Sequence, residues 1–113
     1  MAEDLVLLQI QERFEKFKQQ TYKDFELAGA LAHLPNLDTT NLPELYNAFY
    51  QSVLQLENGH ALKNLLYRID ITELQMKQGT EQHPELPLQQ VIAQLMIKRI
   101  LQKVILKELY SKG

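Results

Sequence analysis

The stretch LLYRIDITELQM, residues 65 to 76, sets Arg68 and Asp70 two positions apart among large apolar side chains. A guanidinium and a carboxylate in such surroundings can form buried ion pairs or hold a partner across an interface. On a continuous helix the two lie about 200° apart and do not meet. Each therefore needs a partner on another element or a path to water. Arg68 is the better candidate for a buried ion pair or an interface contact, and Asp70 is a candidate helix cap. Arg99, in the last apolar segment, is the third charge expected in a pair or an interface.

Glu57 and His60 have the one spacing that resembles a metal ligand set. A Glu and a His three apart on a helix can both reach a di-iron centre in a four-helix bundle, but such a centre takes two of these motifs and further carboxylates. No second Glu-x-x-His occurs, and Asn58-Gly59 between the pair favours a turn. His33 and His83, like His60, adjoin expected helix ends or loops. Ser52 and Ser111 are the only serines, one in a predicted helix interior and one in a terminal tail. Neither is set up as a nucleophile beside a base. There is no phosphate-binding glycine loop. No catalytic residue, metal or cofactor is expected, and the chain reads as non-enzymatic.

These residues must be positioned by a chain of 113 residues, enough for one domain, 1–113, with a core of its own. A hydrophobic fraction of 45% with 23% charged side chains suits a globular protein. Cysteine is absent, which removes disulfides and thiolate sites and makes a reducing compartment the default. The first residues, MAEDLVLLQIQERF, carry Glu3 and Asp4 where an export signal would carry Lys or Arg. A cytoplasmic location is expected. The apolar run near the C-terminus is interrupted by Lys98, Arg99 and Lys103, which a membrane span tolerates poorly. Net charge is −2, but residues 1–57 hold four basic and nine acidic side chains, and 58–113 hold eight and five. Halves of −5 and +3 favour packing on each other, or head-to-tail self-association.

Spacings of three and four at Ile10, Phe14, Phe17, Thr21, Phe25, Ala28 and Ala32 predict one helix over about 4–33, with a break near QQTYKD as the competing reading. AGALA at 28–32 offers small side chains for close approach of a neighbour. After the turn LPNLDTTNLP, Asn41 and Glu44 have capping-box spacing with Pro43 in the first turn, and Leu45, Phe49, Val53 and Leu56 mark the buried stripe of a helix over 42–57. The stripe slips phase at Asn58-Gly59, where a turn is expected. A third helix is predicted over 60–77. A restart inside it is the alternative, because Asp70 with Glu73 and Thr72 with Gln75 both have capping-box spacing. QGTEQHPELP, residues 78–87, reads as a loop.

The last helix, about 87–110, is apolar on several faces. Leu88, Val91, Ile92 and Leu95 share one; Ile97, Ile100, Leu101 and Val104 another; Leu106, Leu109 and Tyr110 return to the first. Such a helix is central to its bundle or extends into a partner chain. Ile97, Leu101, Val104 and Tyr110 are the apolar interface candidates. Its basic residues, Lys98, Arg99, Lys103, Lys107 and Lys112 against Glu108, total +4. They make nucleic-acid binding the alternative, against the plainer reading that cations complement the helix dipole.

LLYRIDI at 65–71 and IKRILQKVILKELYSKG at 97–113 resemble the C-terminal half of small, uncharacterised, all-helical bacterial proteins. The resemblance implies a bacterial cytosolic protein and assigns no residue a role. The whole reading is an all-α single-domain bundle of about four helices with the C-terminal helix central. It predicts a protein-protein interaction or structural module, self-associating or bound to another protein, with no membrane contact; a metal protein or bundle enzyme is the third reading.

Overall fold

The computed structural model describes residues 2–57 and 59–111, with side chains from residue 10 onward. The described residues are all-helical, with five α-helices: α1 (Ala2–Leu27), α2 (Leu42–Leu56), α3 (His60–Ile69), α4 (Glu73–Gln82) and α5 (Leu88–Ser111). A 3-10 turn, Leu31–His33, lies between α1 and α2. The all-α class is as expected; the helix count is five where about four were predicted.

α1 passes through QQTYKD without a break but stops at Leu27, short of the predicted 33. Gly29 ends it in the left-handed region, φ +73°, while the Ala30 N–H reaches back to the Phe25 carbonyl at 2.8 Å. That bond closes the last turn as a Schellman motif. The small residues of AGALA thus serve a helix end, and Ala28 and Ala30 are buried in the core beside it.

The predicted third helix is two. Asp70 takes φ +72°, and the Ile71 N–H bonds to the Leu66 carbonyl at 2.9 Å, the same closure with Asp in the glycine position. Two residues later Thr72 starts α4: its Oγ1 accepts from the Gln75 N–H at 3.1 Å, and the Gln75 side chain accepts from the Thr72 N–H at 2.9 Å. Of the two capping-box spacings, Thr72 with Gln75 is therefore the one used. α4 then runs on to Gln82, through residues expected in a loop. Gly79 is the reason: a Cβ there would lie 2.6 Å from Val91 Cγ1, so the glycine lets α4 lie close on α5 and does not end a helix.

At α2, Asn41 Oδ1 accepts from the Glu44 N–H at 2.9 Å, and Leu45, Phe49, Val53 and Leu56 are all buried. The Asn58 part of the following turn lies outside the described residues.

α5 packs against α1, α2, α3 and α4, the central position predicted for it. Buried side chains from every α-helix but α4 join one cluster, and Met76 of α4 packs on its margin. At its centre Phe49 is fully buried, with the Phe17 ring 6.1 Å away and the Phe25 ring edge-on at 6.4 Å. Among the described residues no helix is long and apolar enough to cross a membrane.

Candidate interaction surface and the Asp24 ion-pair network

α1 and α5 run antiparallel, because Asp24, Gln20 and Arg13 on one helix meet Lys103, Lys107 and Glu108 in order on the other. Asp24 is the polar centre of this seam and is fully buried. Its Oδ2 accepts from Lys103 Nζ at 3.1 Å and its Oδ1 from Gln20 Nε2 at 3.0 Å, and Arg68 Nε lies 3.7 Å from that same Oδ1. Lys103 Nζ also donates to the Arg68 carbonyl at 2.9 Å, which ties α3 to α5. Three helices are therefore pinned by one carboxylate. Burying a carboxylate is costly unless charge and hydrogen bonds answer it, and here both do.

Arg68 and Asp70 do not pair with each other, but the continuous helix from which that was expected ends at Ile69, with Asp70 in its left-handed cap. Arg68 is in the ion pair with Asp24, while Asp70 pairs with Arg99 Nη2 at 3.0 Å. Arg99 also donates to Gln102 Oε1 at 3.4 Å, and its Nε is buried without a partner among the described residues. At the far end of the seam Arg13 Nη2 donates to Glu108 at 2.9 Å, with Lys16 Nζ at 3.6 Å. The Arg13 hydrogen bond holds the Glu108 carboxyl below its ordinary value against the desolvation of the site, and Glu108 in turn raises Arg13.

Of the apolar interface candidates, Ile97 and Val104 are buried in the chain's own core, so they offer nothing to a partner. Leu101 and Tyr110 are at the surface, 37% and 82% exposed. Past Ile100 the buried face of α5 narrows to one side. Leu101, Ile105 and Leu109 recur every four residues on the other, with Leu106 and Tyr110 beside them. A helix predicted to be buried on several faces is thus open on one face of its second half, where Leu109 is 65% exposed.

The remaining chemistry-bearing residues are dispersed. Glu57 accepts from Gln89, His33 Nδ1 meets Gln55 Oε1 at 3.0 Å, and His83 lies 3.4 Å from Glu85. Ser52 is buried and donates to the His33 carbonyl, so the contact with His33 is to its backbone and not to its ring. No group of three or more His, Cys, Asp or Glu side chains could hold a metal among the described residues. A groove of about 460 Å³ lies between the 33–39 segment and α2, where His33, Ser52, Asp38 and Glu44 line it among neutral amides and apolar groups.

Asp24 was missed as a site residue in the sequence. Its spacing from Thr21 suggested only a cap, whereas the Thr21 hydroxyl donates to the Phe17 carbonyl within an unbroken helix. The available signal was Asp24 lying between Thr21 and Phe25 on a buried stripe. Compared with models of protein families, with curated proteins and with solved structures, the chain finds no match.

Proposed function

We propose that the protein is a non-catalytic interaction module that associates with a second copy of itself through the outward face of α5. The observation that carries this reading is the stripe Leu101, Ile105, Leu109 with Leu106 and Tyr110, apolar on a helix whose opposite face is already buried. Burying one such leucine in an interface contributes about 1.5–3 kcal/mol. A two-fold-related copy sets the stripe against itself, which is the simplest closed arrangement for one self-complementary patch. The absence of cysteine suits the reducing bacterial cytoplasm proposed as its setting.

The nucleic-acid alternative draws less support. Arg99 and Lys103 are paired with Asp70 and Asp24, which leaves Lys98 and Lys107, nine residues apart and so on opposite sides of α5. Lys112 lies outside the described residues.

Sedimentation velocity at micromolar concentration is the test. The expected result is a dimer or larger species that becomes monomeric in Leu109→Glu while the helical circular dichroism stays unchanged. A wild-type protein that is monomeric throughout overturns self-association.

A further inference from the structure

Beside the Asp24 network, the α1/α5 seam opens into a groove of about 340 Å³ lined by Lys16, Gln19, Gln20, Lys23, Val104, Lys107, Glu108 and Ser111. Three ammonium groups from two helices line it against one carboxylate. That carboxylate, Glu108, is answered by Arg13, which does not line the groove, as well as by Lys16. Lys23 and Lys107 have no carboxylate within 4.0 Å among the described residues. Lys107 is nevertheless held. Its Nζ donates to Gln20 Oε1, and Gln20, buried itself, is oriented by its Nε2 on Asp24 at 3.0 Å. An amide carbonyl fixes the ammonium without cancelling its charge, and it leaves two of the three N–H donors free.

We propose that this groove binds a phosphomonoester dianion, with Lys107 and Lys23 on the phosphate oxygens and Lys16 at the margin. Ammonium groups act on phosphate as point charges from several directions, whereas a planar carboxylate is best met by the fork of an arginine, and no guanidinium lines the groove. The space exceeds that of a phosphate group, so it also holds an organic substituent. Gln19 and Ser111 give that substituent neutral polar contacts, and Val104, itself in the core, forms only the floor of the groove. The site is independent of the outward face of α5, which lies on the other side of the helix.

The test is a titration of the isotope-labelled full chain at constant ionic strength, set with chloride, and followed by amide chemical shifts. Inorganic phosphate and glycerol 3-phosphate are expected to give saturable shifts within residues 16–23 and 104–108, with the ester binding more tightly. Lys107→Gln and Lys23→Gln each weaken binding about tenfold, the loss of one charge-assisted hydrogen bond, while Lys18→Gln leaves it unchanged. Co-sedimentation with phosphatidylcholine vesicles containing phosphatidic acid, lost in Lys107→Gln, assigns the phosphate to a lipid headgroup. Tighter glycerol 3-phosphate binding without co-sedimentation assigns a soluble ester. Shifts that do not saturate, or that persist unchanged in both lysine variants, overturn the proposal.

Discussion

At Asp24 a single carboxylate meets cations from α3 and α5 and an amide from its own helix. Asp24→Asn keeps the shape and removes the charge, leaving Lys103 and Arg68 unanswered. Both cations retain a path to water, so the expected loss is about 3 kcal/mol, the lower end for breaking a buried pair, measured as a fall in urea midpoint with unchanged slope. Glu108 behaves differently because it lies at the rim. Its folded value is lowered by the Arg13 hydrogen bond, so its stabilisation is fully present above the ordinary glutamate value of about 4.3 and is lost as pH falls through the lowered folded value. Urea unfolding of the native chain and Glu108→Gln is expected to differ at pH 7 and to converge at pH 2. A gap that persists at pH 2 contradicts the assignment. Arg68 and Asp70 were legible in the sequence as residues that do not pair with each other. Their partners were not, since Asp24 and Arg99 lie 44 and 29 positions away and only the packing of helices brings them near.

The helices differ from the periodicity reading where one residue type has two uses. Glycine at 29 ends a helix and glycine at 79 sits inside one, and composition alone does not distinguish them. What decides is the neighbour, Val91 Cγ1, 2.6 Å from where the Gly79 Cβ would be. In an open helix Gly→Ala is favourable by about 1 kcal/mol. Here overpacking costs about 1–3 kcal/mol, so Gly79→Ala is expected to lower the thermal midpoint, and a rise contradicts the close α4/α5 approach. Asp70 offers the converse case. Glycine there relieves a left-handed residue by about 1 kcal/mol and gives up an exposed ion pair worth about 0–1 kcal/mol. Asp70→Gly is expected to be neutral or slightly stabilising by the same measurement, whereas β-branched Asp70→Val destabilises. The buried stripe of α2 was fully legible because its cap, proline and apolar spacing all agree. α3 and α4 were fused because the apolar pattern runs across Asp70 with no glycine or proline to interrupt it.

At the scale of the molecule, α5 is the element on which α1, α2, α3 and α4 all rest, and it follows all four in sequence. Its central place was legible from its many apolar faces; which face stays open was not, because that depends on where the other four helices end. The order has a consequence for synthesis. While the ribosome makes residues 1–87, α1, α2 and α4 lack their main packing partner, and of the contacts between α-helices only those of α3 with α1 and α2 can form. The Asp24 carboxylate has Lys103 to wait for, 79 positions on. At about 5–20 residues per second, the 24 residues of α5 take on the order of one to five seconds. Through that interval the apolar faces that α1, α2 and α4 turn toward α5 stay open, and the core cannot close before α5 is made.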